Sequence, residues 1–427
     1  MTRLIGILSH RVHSNLLGRF SVKFNRAILV RSFVLISLMA SLTVLSTRLQ
    51  ADTGNCGGVT ITLPFNDVMA SPFFCQIAAA YFSGLTNGTG DGTTYSPTQT
   101  VTREQMAAFI TRTLDQSLKR GSRKAVAKKW WTPQAVDNLT LTTVGTNPAS
   151  VEFDGTDLWV ANLGGGGTVT RVRPGDGTVL GTWTGAGNAT GIVCAMGKIF
   201  VTGNLAPGKL YMIDPTQAPG VVTTLTSALG VSPTGIAFDG TRIWTANFNS
   251  SSVSIVTLNP TTVTNVSIGF SGPIGALYDG SNIWVTDQGD GTIKKLDSTG
   301  AILQSITVGN APQYPVFDGT NIWVPNFGSA SVSVVRVKDA TGNPLASPFI
   351  LATLTGNGML GPMTMAFDGE RILVTNFSGD SVSLWKAADL TPLGSFLTGF
   401  NTVAKGACSD GLNFWIALQN TNKLARF

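Results

Sequence analysis

One short motif returns along the second two-thirds of the chain: FDGTDLWVAN from Phe153, FDGTRIWTAN from Phe238, YDGSNIWVTD from Tyr278, FDGTNIWVPN from Phe317 and FDGERILVTN from Phe367. Each copy begins with an Asp-Gly pair, where glycine tolerates positive φ and the aspartate side chain bonds its own backbone, so the chain turns there. A strand of alternating character follows. In the Phe317 copy, Trp323 points to the opposite face from Ile322 and Val324. A strand–turn–strand unit with two apolar faces cannot bury both of them alone, so its repetition is itself a constraint on the fold.

Taking the turn as a marker, the copies fall at Asp154, Met196, Asp239, Asp279, Asp318, Asp368 and Asp410, at intervals of 42, 43, 40, 39, 50 and 42 residues. A period near 40 with four short strands per unit predicts an all-β, seven-bladed β-propeller over residues 138–427. Trp159, Trp244, Trp284, Trp323 and Trp415, with Phe200 and Leu373 in their place in two copies, are suited to the wedge between adjacent twisted blades. The last copy supplies only three strands, GACSDGLNFWIAL and NKLARF included. LTLTTVG, Leu139 to Gly145, precedes the first marker as ILQSITVG precedes the fifth. The expectation is an N-terminal strand that completes the seventh blade and closes the ring.

The stretch NFNSSSVSIVTLNPTTVTNVSIG, Asn247 to Gly269, resembles the YVTN-type repeat of extracellular β-propellers. The wider set of repeats is similar to the superfamily that includes NHL repeats and virginiamycin B (streptogramin) lyase, over about 290 residues. The resemblance implies the fold more than an activity, because propellers host unrelated functions. It also implies a histidine with acidic partners if the chain were a streptogramin lyase. The only histidines, His10 and His13, lie in the first fifty residues. Ser-His-Asp and Cys-His catalysis, a histidine base and histidine-ligated metals are therefore excluded from the repeats.

Other chemistry is sparse. DQGDGT, from Asp287, lacks the spacing and closing Glu of a calcium loop and reads as a solvated loop; Gly164 to Gly167 has neither the helix nor the lysine of a phosphate loop. No metal site and no cofactor is expected. The candidate ligand surface is the set of loops after the tryptophan strands: Asn162, Asn247, Phe248, Asp287, Asn326, Phe327, Asn376 and Phe377. Two readings stand for it. The amides cap turns and the rings seal blades, or together they line a channel mouth suited to a sugar or peptide.

The formal charge of +6 arises at the N-terminus. Residues 1–50 carry seven Lys/Arg and no acid, and the remainder nearly balances, so nucleic acid is not an expected partner. A basic lead, the apolar run SFVLISLMASLTVLS and LQA at 49–51 predict a signal peptide over 1–51 cleaved before Asp52. A signal anchor is the alternative. Both readings export the chain to the cell surface, the periplasm or the medium.

Residues 52–118 read as a small helical module. Thr102 and Gln105 make a capping box, and Met106, Phe109, Ile110 and Leu114 an apolar stripe. Phe65, Asp67, Val68, Gly84, Leu85, Gly88, Tyr95, Pro97, Thr102, Arg103, Gln105 and Ala107 together resemble an S-layer homology (SLH) module. That resemblance implies that Thr102 and Arg103 bind anionic cell-wall polymer. Cys56 and Cys75 are close enough in one module to form a disulfide, while Cys194 and Cys408 are expected as free thiols. A basic linker, 119–137, carries six Lys/Arg between Lys119 and Lys129, then Trp130 and Trp131. The chain thus reads as an exported, non-catalytic, monomeric binding scaffold. The alternatives are a carboxylate-based lyase or hydrolase and a purely structural envelope component.

Overall fold

The computed structural model describes residues 51–56, 58–118 and 140–427. The signal segment and the basic linker lie outside them. The chain forms two compact units, divided between Thr102 and Arg103, inside the segment read from the sequence as one module.

In the first unit, a hairpin of Thr53–Cys56 and Val59–Thr62 precedes the helix α1, Phe74–Phe82. Leu63, Phe65, Val68, Phe74, Ile77 and Ala78 form its core. Two aspartates order the connecting chain. Asp52 accepts the backbone N–H groups of Val68 and Met69, and Asp67 those of Tyr95 and Ser96. A disulfide joins Cys56 to Cys75, tying the hairpin to α1. The second helix, α2 (Arg103–Leu118), belongs to the other unit, where Asp115 accepts a 2.8 Å bond from Lys386. The expected stripe on α2 is not a buried seam: Met106 and Ile110 are exposed.

The second unit contains seven antiparallel four-stranded sheets. Their innermost strands begin at Pro148, Ala189, Pro233, Pro273, Val316, Pro362 and Ala404. Six sheets are continuous in sequence. The seventh takes its outermost strand from Thr140–Thr143, antiparallel to Lys423–Arg426, so the two ends of the unit share one sheet.

Each blade turn is held by the two ends of one motif. In the fifth blade, Asp318 Oδ1 accepts the N–H groups of Thr320 and Asn321, and Oδ2 accepts Trp323 Nε1–H at 2.7 Å. Trp159, Trp244, Trp284 and Trp415 donate in the same way to Asp154, Asp239, Asp279 and Asp410, at 2.7–2.8 Å. All five indoles are buried between blades. The two exceptions are consistent with the latch. The second blade has lost both partners, with Met196 and Phe200 in their places. The sixth keeps Asp368 but not the tryptophan; there Arg371 Nε donates to Asp368 at 2.7 Å and its guanidinium lies over the Phe414 ring.

At the opposite end of every blade a backbone clasp joins two loops. The N–H following the second strand donates to the carbonyl just before the inner strand: Leu163 to Asn147, Asn204 to Asn188, Phe248 to Ser232, Gln288 to Gly272, Phe327 to Ala311, Phe377 to Gly361 and Gln419 to Val403. Every acceptor residue has positive φ. In five blades a proline follows it directly, at 148, 233, 273, 312 and 362. These prolines carry no N–H and so ask nothing of the sheet edge they begin.

Candidate functional site: the channel and its mouth

The mouth residues fall into two groups. The asparagines turn inward. Asn162 Nδ2 donates to the Thr168 and Thr170 hydroxyls, Asn247 to those of Ser252 and Ser254, Asn326 to Ser331 and Ser333, and Asn376 to Ser381 and Ser383. All four are fully buried. The pattern behind them is Asn at the end of the second strand and two hydroxyls, two residues apart, on the third.

The fourth blade replaces this with charge. Asp287 is paired with Lys294, which also meets Asp290, and Ser271 N–H donates to Asp287 at 2.8 Å. Asp287 is fully buried while Gly289 and Asp290 stay exposed, so the stretch is a solvated loop only beyond its first residue, and a lysine already occupies the cation position between the two aspartates. The phenylalanines remain at the surface. Phe248 is exposed, and the half-buried Phe327 and Phe377 meet edge-on at 6.1 Å.

The inner strands of all seven blades line one cavity of about 540 Å³. Glycine sets its width. A Cβ on Gly235 would come within 2.5 Å of the Ile274 carbonyl oxygen, and one on Gly406 within 2.7 Å of the Ser150 Cα. Counting five residues back from each turn glycine gives Ser150, Ile192, Gly235, Gly275, Tyr314, Thr364 and Gly406. Tyr314 is the one aromatic side chain at that level. Burial pushes its hydroxyl up to about 12, offset in part by Thr234.

Glu152 and Lys405 are the only acid and the only base among the lining residues. Both keep some solvent access through the channel, yet protein encloses them closely. Burial pushes the Glu152 carboxyl up to about 7 and the Lys405 ammonium below its usual range. Neither the carboxyl of Glu152 nor the ammonium of Lys405 has a hydrogen-bond or ion-pair partner among the described residues, although the Lys405 carbonyl accepts from Thr375.

Two thiols stand near Glu152. Glu152 lies opposite Trp159 and Cys194 opposite Ile199, and Trp159 and Ile199 share one core cluster, so Glu152 and Cys194 face the same interface between the first two blades. Cys408 packs between the seventh blade and the first. Burial, then the charge of Glu152, pushes both thiols up, so they stay protonated and unreactive. Cys194 and Cys408 are free, and no group of acidic, histidine or cysteine side chains fit to hold a metal occurs among the described residues.

No family model matches the chain, and no curated protein does. Solved structures do. Virginiamycin B lyase from Staphylococcus aureus is 15% identical, covering 68% of this chain and 98% of its own, with a TM-score of 0.55. A streptogramin B lyase structure is 16% identical, covering 68% and 96%, at 0.54. Hydrazine synthase from Kuenenia stuttgartiensis is 15% identical, covering 69% and 99%, also at 0.54. The likeness is one of fold alone. The second unit is a seven-bladed β-propeller with structural neighbours of virginiamycin B lyase type, and those neighbours carry unrelated names.

Sequence reasoning reached the mouth loops and missed the channel. Glu152 and Lys405 each occur once, at positions where no other copy carries a charge. The signal was therefore a departure from the repeat rather than the repeat itself. The clasps were also missed, although a proline six residues before the turn aspartate in five of the seven blades pointed to them.

Proposed function

We propose that the chain is an exported, non-catalytic binding scaffold of the cell surface, which takes a small ligand at the propeller channel and its phenylalanine-bearing mouth. The observation that carries this reading is the channel cavity. Its wall brings together apolar and hydroxyl side chains with one acid and one base that are otherwise unpartnered, the pattern of a binding pocket. Both histidines lie in residues 1–50, and the thiols at the cavity are held protonated, so the wall offers no activated nucleophile with its base. Probing peptide and glycan arrays with the secreted full chain tests the reading. Capture of a defined ligand class, lost on competition with the soluble ligand, is expected; no capture on either array contradicts it.

A rival reading is a carboxylate-based lyase, and Glu152 is the observation in its favour, since a carboxyl near 7 suits a general base. Turnover of a streptogramin lactone that disappears in Glu152→Gln would establish that reading instead.

Attachment to envelope polymer through the first unit and α2 is part of the proposal. Thr102 and Arg103 are exposed at the start of α2, where a guanidinium fork can meet carboxylates. Arg103→Ala is expected to abolish sedimentation with purified cell walls while leaving the melting temperature unchanged. Unchanged sedimentation removes the polymer role.

A further inference from the structure

Glu152 and Lys405 are opposite charges in one cavity, and no ion pair joins them. Counting back from the turn glycines, Glu152 stands three residues before Gly155 and Lys405 six before Gly411. The two are therefore staggered by three positions along adjacent inner strands, roughly 10 Å at 3.3 Å per residue. An enclosed charge without a partner is costly, and a protein that keeps two of them gains nothing in stability from either. Burial draws both groups toward their neutral forms, as expected where nothing yet compensates them.

We infer that the channel seats a short zwitterion, a ligand of di- or tripeptide size whose ammonium meets Glu152 and whose carboxylate meets Lys405. The inference rests on the binding-scaffold reading and gives it a ligand class. A neutral sugar would leave both charges unpaired, and a polyanion would meet Glu152. An apolar ligand would bury both without compensation. A peptide of two to three residues spans about 7–10 Å when extended, which matches the stagger. The rest of the wall can meet such a backbone at Tyr314, whose hydroxyl stands in it, and at the Thr190 and Thr234 oxygens, which already donate to backbone carbonyls and are left to accept.

The test is calorimetric titration of the full chain with trialanine, N-acetyl-trialanine, trialanine amide and the doubly blocked peptide. Trialanine is expected to bind, each block to weaken binding at least tenfold, and the double block to abolish it. Glu152→Gln should bind the acetylated and free peptides alike while still discriminating against the amide. Lys405→Met should show the converse. Both variants remove an enclosed charge at nearly constant shape, and a thermal melt checks their folding. Should either fail to fold, the four peptides on the unchanged protein decide alone. Equal binding of the free and doubly blocked peptides, or variants with the parent's preferences, overturns the inference. If the arrays capture a glycan while trialanine does not bind, the zwitterion inference fails and the scaffold reading stands. If trialanine binds only through its carboxylate, insensitive to Glu152→Gln, the ligand is an anion and the inference is wrong.

Discussion

In five blades the carboxylate of the turn aspartate is divided between backbone and indole, so neither partner can be changed alone. Trp284→Phe keeps most of the ring volume but leaves the buried Asp279 Oδ2 without its donor. The expected cost is about 1–3 kcal/mol in urea denaturation, the usual penalty for orphaning a buried polar group. A loss below a few tenths would show that the indole acts by volume only. Glu152 gives a residue-scale prediction in pH. At low pH the carboxyl is protonated in both folded and unfolded chains and no penalty arises. As pH rises past the ordinary carboxylate value the unfolded chain ionises first, and stability falls until about pH 7, where the folded group ionises too. The nearest titratable neighbours, Cys194 and Cys408, stay protonated throughout, and the turn carboxylates Asp154 and Asp410 lie within reach of those thiols. Glu152→Gln should therefore flatten the stability profile between pH 4.5 and 7 and stabilise the protein above it, by up to about 3 kcal/mol. An unchanged slope would mean that Glu152 ionises normally.

Among the elements, the hairpin and α1 of the first unit depend on a covalent link that the blades do not need. Cys56 and Cys75 enclose a loop of 19 residues, worth about 3 kcal/mol by chain entropy. Mild reduction should unfold residues 52–102 and leave the propeller transition in place, read by hydrogen exchange. Protection that survives reduction would show that the core around Phe65 suffices. The elements were legible in the sequence to different depths. The tryptophan strands were plain because a period near 40 and an Asp-Gly turn are both local signals. The role of the asparagines was open, since capping and ligand binding require the same residue in the same loop; only the paired hydroxyls on the next strand, Ser331 and Ser333 for Asn326, decide where the amide points. The placement of α2 was not legible at all. Its stripe repeats at helical spacing, but which surface accepts Asp115 depends on Lys386, some 270 residues away.

At the scale of the whole molecule, the seven sheets form a ring whose inner strands together line the channel cavity. No blade has an exposed inner face to spare, and the ring has one place where the chain does not continue from sheet to sheet: the pairing of Thr140–Thr143 with Lys423–Arg426. Four residues on each side form that ladder, at roughly 0.5–1.5 kcal/mol net per hydrogen bond, which together approach a large fraction of the 5–15 kcal/mol that holds a typical domain. The channel and any ligand in it depend on that seam, because Glu152 and Lys405 belong to the first and seventh blades on either side of it. Thermal unfolding of a chain that starts at Thr146, compared with the parent, is the most direct test. The ring account predicts aggregation or a melting temperature far below the parent's, in one cooperative step. A monomer that melts within a few degrees of the parent would contradict the closure, and with it the enclosed channel on which the proposed function rests.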